Sequence, residues 1–154
     1  MKIKIGFAKK GQASDCLSCV KNSDLWETYF KSNASAENDI EEMISKKQIY
    51  VALNQNDECI GFMGVIHNGC FHKFSYLSLI AVENGYRNKG IGKQLLKKFE
   101  KMGFKQANKV FLLVSDFNHK AQLLYKNIGY KEVGKIPDLF KKGVHEHVLV
   151  KCRI

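Results

Sequence analysis

The chain of 154 residues holds a single proline, Pro137, a single tryptophan, Trp26, and 15 acidic residues against 25 Lys and Arg. With so little proline, the turns must rely on Asn, Asp and Gly. Long apolar runs are missing. The longest, Cys59 to Ile66, falls far short of the roughly 20 residues that a membrane helix needs, so no membrane partner is expected. Repeats, low-complexity tracts and linkers are also missing. That excludes solenoids and arrays and points to one domain spanning residues 1–154. The first residues, MKIKIGFAKKG, alternate charged and apolar side chains as a strand does, unlike a signal peptide. A cytoplasmic location follows as the expectation.

Cysteine is sparse and odd in number: Cys16, Cys19, Cys59, Cys70 and Cys152. In a chain without a secretion signal these are expected to be reduced thiols. Cys16 and Cys19 fall in a predicted helix, with no second ligand pair at zinc spacing. His145 and His147 share one face of a predicted strand, but no third and fourth ligand lie near them in sequence. No metal is expected. Asn33-Ala-Ser35 would matter only in a secreted protein.

The missing acid leaves a net charge of +10, which favours an anionic partner: nucleic acid, a membrane surface or a phosphorylated small molecule. Part of that charge is the solvated face of one helix. Lys93, Lys97, Lys98 and Lys101 lie opposite Leu95, Leu96, Phe99 and Met102. A nucleic-acid surface would need interleaved aromatic and basic residues. Phe71, His72, Lys73 and Phe74 come nearest and suit a strand start equally well, so nucleic acid is not the expected partner.

Strands are predicted over Lys2–Ala8, Gln48–Asn54, Glu58–His67, Lys73–Val82, Lys109–Ser115, Tyr130–Gly134 and Val144–Lys151. Asn56-Asp57 and Asn68-Gly69 are hairpin signals. Helices are predicted over Ser14–Val20, Ala36–Lys46 and Ile91–Met102. A last helix follows an Asn118 N-cap, carries Ala121, Leu124, Tyr125 and Ile128 on one stripe, and ends before Gly129. Hairpins give antiparallel pairs, and the strand–helix–strand unit from Ser75 to Val114 gives a parallel one. The fold class is therefore α/β (α+β): a mixed, mostly antiparallel sheet of six or seven strands flanked by about four helices.

One stretch carries chemistry. The apolar strand ending at Val82 runs into Arg87-Asn-Lys-Gly90-Ile-Gly92 and then directly into a helix. The first amides of a helix have no intrahelical partner, and its dipole adds positive charge there. Glycines let the backbone close around a phosphate, and Arg87, Lys89 and Lys93 add charge. A P-loop needs four residues between its glycines and Ser or Thr after the lysine; here one residue separates them and Gln94 follows Lys93. A dinucleotide fingerprint needs a small residue where Leu95 stands.

The loop resembles the Arg/Gln-x-x-Gly-x-Gly/Ala signature of the GNAT superfamily of acyl-CoA N-acyltransferases, through Arg87, Gly90 and Gly92, after a similar strand Leu79-Ile-Ala-Val82. A second stretch, Val114, Asn118, Ala121, Leu124-Tyr125 and Gly129-Tyr130, is similar to that family's Val-x-x-x-Asn-x-x-Ala-x-x-Leu-Tyr-x-x-x-Gly-Phe/Tyr. Asn84 stands where the family often has proline, and Asn88 replaces a common glycine or arginine. The resemblance implies splayed central strands and an acetyl-CoA donor. The coenzyme diphosphate would lie on the amides of Asn88, Lys89, Gly90, Ile91, Gly92 and Lys93. The pantetheine arm would pair with the strand edge at Leu79, Ile80 and Val82, and Asn118 would reach it from the other side. Tyr125 would act on the leaving thiolate, and the amide of Val82 or of a close neighbour on the oxyanion.

The implied reaction is direct transfer of acetyl to an amine. The strand stretches Leu77–Val82 and Phe111–Ser115 contain no carboxylate. A general base must then come from elsewhere: His67, His72, Glu58 and Glu146, each more ordinary as a surface residue, or a backbone-bound water. The alternative is a coenzyme-binding sensor of the same fold that has lost catalysis. The acceptor would be set by Ser14–Lys46 and by the segment Lys135–Val144, where Trp26, Tyr29 and Phe30 are expected in the core. A monomer and a homodimer are equally compatible.

Overall fold

The computed structural model describes residues 2–154, so Met1 of the expected single-domain span lies outside the described residues. Thirteen elements follow one another. They are β1 (Lys4–Phe7), α1 (Ala13–Val20), a π-helical turn (Trp26–Phe30), α2 (Ala36–Ser45), β2 (Ile49–Leu53), β3 (Cys59–Cys70) and β4 (Phe74–Val82). A 3-10 turn (Asn84–Tyr86) leads to α3 (Ile91–Gln106), β5 (Lys109–Ser115), α4 (His119–Asn127), β6 (Lys131–Lys141) and β7 (Val144–Cys152). The strands form one sheet of 7 in the order β1-β2-β3-β4-β5-β7-β6. β4 and β5 run parallel, whereas the β1–β2, β2–β3, β5–β7 and β6–β7 pairs are antiparallel. Among the described residues no helix is long and apolar enough to cross a membrane.

The chain divides into two compact units, one made of the segments up to Val65 and Leu79–Phe99, the other of Ile66–Ser78 and Glu100–Ile154. In the first unit, α1 and α2 lay Ala13, Cys16, Cys19, Val20, Ile40 and Ile44 on Ile49, Val51 and Phe62, all buried. Trp26 and Phe30 stack with ring centroids 6.5 Å apart and pack against this cluster. α3 begins close on β3. A Cβ at Gly61 would stand 3.1 Å from the Ala81 carbonyl oxygen and 3.5 Å from Ile91 and Leu95. This glycine brings helix and strand together rather than making a turn.

In the second unit Val110, Leu112 and Val114 of β5 form the core with Leu149 of β7. α3 runs on to Gln106, past the predicted end at Met102. Gly103 does not stop the helix. It stays glycine because a Cβ there would lie 2.4 Å from Val110 Cγ1 and 3.2 Å from Ser75 Cβ. Gly103→Ala should therefore destabilise the fold by about 1–3 kcal/mol through overpacking, against its gain of about 1 kcal/mol in helix propensity. Urea midpoints of the two chains check this.

Two further expectations are corrected. β3 does not turn at Asn68-Gly69 but continues to Cys70, and the hairpin closes at Phe71 and His72, both left-handed with φ +55° and +57°. Gly69 is needed for close approach instead, since a Cβ there would come within 2.9 Å of Ile66 Cβ and Tyr76 Cβ. β6 does not stop at Gly134 but continues to Lys141. Its place at the sheet edge explains how it accommodates Pro137, which cannot donate to a ladder. The segment Lys135–Val144 is thus mostly strand and hairpin.

Candidate active site

β4 ends at Val82, and Glu83 closes the following turn by accepting a hydrogen bond from the Gly85 amide (3.1 Å). The loop then places Asn88 and Gly90 in the left-handed region, at φ +63° and +82°, on either side of Lys89. Such alternation turns successive N–H groups into one concavity. α3 starts at Ile91, and the Gln94 amide donates to the Gly90 carbonyl at 3.1 Å. The amides of Ile91, Gly92 and Lys93 precede that bond and carry the positive end of the helix dipole. A Cβ at Gly90 would meet nothing within 4 Å, and one at Gly92 would meet Val82 Cγ2 at 3.9 Å. Protein packing does not demand the missing side chain at Gly92; it leaves room over the helix start for an anion. Lys89 and Lys93 are exposed beside it, with Lys89 Nζ 5.5 Å from the Tyr86 ring centroid.

Arg87 has a different task from the charged rim expected of it. Its Nε donates to the Val82 carbonyl (2.8 Å), and its two terminal nitrogens donate to the carbonyls of Asn22 (2.7 Å), Lys21 (2.8 Å) and Cys19 (3.3 Å) and to Asn84 Oδ1 (3.3 Å). All five donors of the guanidinium have partners. The side chain caps the carbonyls at the end of α1 and ties them to the loop. Asn54, which local pattern did not single out, braces the loop from the other side. Its Nδ2 donates to Glu58 Oε2 (2.7 Å) and Tyr86 Oη (3.2 Å), while its Oδ1 accepts from the Asn56 (2.9 Å) and Glu58 (3.0 Å) amides. An Asn before a tight turn was the available signal.

β4 pairs with β5 only at Ser75, Tyr76 and Leu77. Beyond them, the β4 edge opposite β3 carries no strand pairing among the described residues. The Glu83 amide donates to the Ile60 carbonyl on β3 (2.9 Å). By strand alternation Ala81 and Leu79 also turn their backbone groups to β3, whereas Ile80 and Val82 turn theirs to the open edge. Leu79 packs its side chain against the α1–α2 cluster.

The second unit carries the other two expected residues. Asn118 caps α4, with its Oδ1 accepting from the Ala121 amide at 3.3 Å. Its amide nitrogen donates to no group among the described residues. Tyr125 is 5% exposed, edge-on to Tyr130 with ring centroids 5.8 Å apart. Its hydroxyl has no hydrogen-bond partner among the described residues, and burial pushes its pKa up to about 12. Burial and Glu146 push Tyr76 up to about 12 as well, and burial with Glu100 pushes Tyr130 upward. Each is neutral in the fold and ionises more easily when unfolded. Their stabilisation is complete below pH 10 and is lost as pH rises through 12, by about 3 kcal/mol for Tyr125 alone. Urea midpoints should fall steeply across that window.

The four candidate bases are scattered. His67 Nδ1 lies 3.1 Å from Ser75 Oγ, and burial lowers its pKa. His72 sits exposed at the hairpin tip, and Glu58 serves Asn54. Glu146, expected at the surface, is instead 3% exposed on β7 and accepts a 2.7 Å hydrogen bond from Ser115. Of the two strand histidines, His147 pairs through Nδ1 with Glu132 at 2.5 Å.

The sequence model of the Acetyltransferase (GNAT) family matches residues 21–130, a span holding the loop, Asn118 and Tyr125. The chain belongs to the GNAT acetyltransferase family. It is 31% identical over 94 residues to the N-alpha-acetyltransferase RimI of Mycobacterium tuberculosis, covering 60% of this chain and 58% of that one. The chain spans 26% to 58% of the length of the curated relatives it matches. Among solved structures, Ard1 from Thermoplasma volcanium superposes with a TM-score of 0.82 at 15% identity, covering 100% of this chain and 99% of that one. An aminoglycoside 6'-N-acetyltransferase complexed with coenzyme A gives 0.75 at 20% identity over 100% and 98%. At those identities the likeness is one of fold. The GNAT fold accounts for the mixed seven-stranded sheet and for the short β4–β5 pairing.

Proposed function

We propose that this chain is a cytoplasmic N-acetyltransferase, a single domain spanning residues 1–154 that moves the acetyl group of acetyl-CoA to a primary amine by direct attack in a ternary complex. The anion cradle at Asn88–Lys93 carries the reading, because it combines left-handed residues, a helix start and glycines that packing does not require. In it the amides of Asn88, Lys89, Gly90, Ile91, Gly92 and Lys93 hold the coenzyme diphosphate, and Arg87 keeps the loop in shape. Ile80 offers its backbone groups and Val82 its amide to the pantetheine arm, with Leu79 packed behind them, and the free amide nitrogen of Asn118 donates to the same arm.

The amine nitrogen attacks the thioester carbonyl carbon, the C–S bond breaks, and the thiolate departs. The amide of Val82 or of a close neighbour stabilises the oxyanion, a type of contact worth about 3–4 kcal/mol. With Tyr125 pushed up to about 12, complete proton transfer to a thiolate near 8.5 is uphill by about 5 kcal/mol. Tyr125 therefore acts as a hydrogen-bond donor to the sulfur as charge builds on it. The incoming ammonium must first lose a proton, since only about one lysine-like amine in a thousand is neutral at pH 7. That no carboxylate lies on Leu77–Val82 or Phe111–Ser115 favours the second reading, a coenzyme-binding sensor with weak catalysis.

The two are separated by acetyl transfer from radiolabelled acetyl-CoA to polyamines, aminoglycosides, amino acids and peptides with free N-termini. The relative named as an N-alpha-acetyltransferase makes peptides the first acceptors to try. Multiple turnovers on any of them support the enzyme, and tight binding without turnover supports the sensor.

A further inference from the structure

Three thiols meet in the first unit, outside everything assigned to acyl transfer. Cys16 and Cys19, one helical turn apart on α1, are wholly buried, while Cys59 at the start of β3 is half-buried. Cys59 packs against the buried cluster that holds both α1 thiols. Cys19 Sγ also lies 3.9 Å from the Cys59 carbonyl, and Cys59 Sγ 3.5 Å from the Gly61 carbonyl. Cys59 sits at an irregularity of the ladder, where Leu53 opposes Cys59 but Ala52 opposes Gly61. Such a bulge loosens local pairing and re-aims a side chain.

We infer that Cys59 is a peroxide-sensitive thiol resolved by Cys19 or Cys16, so that this family member carries a reversible disulfide site between α1 and β3. The Cys59 thiolate attacks one oxygen of hydrogen peroxide. An S–O bond forms, the O–O bond breaks, hydroxide leaves, and the sulfur is oxidised by two electrons. A thiol of α1 then gives up its proton and attacks the sulfenic sulfur. An S–S bond forms, and the S–O bond breaks to release water. Two thiols and one peroxide become one disulfide and two waters.

The surroundings assign the roles. The two α1 thiols lower the pKa of Cys59, while Cys59 and burial push theirs upward. The neighbouring carboxylates, Asp15 on α1 and Glu83 after β4, act on the α1 thiols in the same upward sense. A low-pKa, partly accessible thiol beside a resolving one is the arrangement of a redox-responsive cysteine. The site also adjoins the loop, because Arg87 donates to the Cys19 carbonyl. It does not depend on acetyl transfer, so its test stands whether or not the chain turns over acetyl-CoA.

The test treats the full chain with hydrogen peroxide, blocks remaining thiols with iodoacetamide, and maps peptides without reduction. Trypsin releases Gly11–Lys21 with Cys16 and Cys19, and chymotryptic cleavage after Phe62 separates Cys59 from Cys70. The expected product is a cross-linked pair of these peptides, lighter by two hydrogens and reversed by dithiothreitol. Iodoacetamide labelling of Cys59 in the untreated chain should fall less steeply between pH 8 and pH 5 than that of N-acetylcysteine, which loses roughly tenfold per unit below its pKa. No cross-link to Cys59, a cross-link confined to Cys16 and Cys19, or labelling of Cys59 that falls with pH like the small thiol overturns the inference.

Discussion

Gly92→Glu is expected to weaken acetyl-CoA binding by at least about a hundredfold, about 2.7 kcal/mol, while leaving the fold as stable or more so. The two effects have separate causes. A Cβ at position 92 meets nothing closer than Val82 Cγ2 at 3.9 Å, and α3 has no acidic residue in its first turn. Exchanging glycine for glutamate there improves helix propensity by up to about 1 kcal/mol and complements the dipole. The same carboxylate stands where the diphosphate is proposed to sit and repels it. Calorimetric titration with acetyl-CoA and a urea midpoint read the two effects independently. Gly92→Ala adds bulk at the same point without charge and should weaken binding less than Gly92→Glu does. A Gly92→Glu chain that binds normally would remove the phosphate from this loop.

Tyr125→Phe should lower kcat roughly 10²-fold, in the range for loss of one preorganised donor, with the KM for acetyl-CoA changed by less than about threefold. The ring keeps its edge-on packing against Tyr130, and the hydroxyl has no partner among the described residues to lose. Stability should therefore move by less than about 1 kcal/mol. Because burial holds the phenol near 12, the pH–rate profile should show no descending limb from this residue below about pH 11. Unchanged turnover would take Tyr125 out of the mechanism, and a collapsed urea midpoint would make it a packing residue.

The sequence revealed most where local chemistry and tertiary packing asked for the same residue. Asn118 and Gly129 bound α4 because capping and left-handed geometry are local demands, met here by the Ala121 amide and by φ +104°. It misled where a glycine answered to a neighbour distant in sequence. Gly69 and Gly103 look like a turn and a helix stop, yet each makes room for atoms of another element, Tyr76 and Val110. The hairpin turn falls to Phe71 and His72, outside the Gly, Asn and Asp residues that dominate such turns. Arg87 shows the same limit within the site. Its charge and spacing suggest a phosphate ligand, but the carbonyls it caps lie at and just past the end of α1, more than sixty residues earlier. Burial of Glu146 and the convergence of Cys16, Cys19 and Cys59 are likewise products of packing that no short motif announces.

Main-chain nitrogens around the start of α3 are proposed to hold a coenzyme diphosphate. Amide ¹H–¹⁵N spectra recorded as acetyl-CoA is added test this most directly. Saturable binding is expected, with the largest downfield amide shifts at Asn88 to Lys93 and smaller ones at Ile80 and Val82. Saturable binding that leaves those six amides unmoved, or no binding at all, would contradict it.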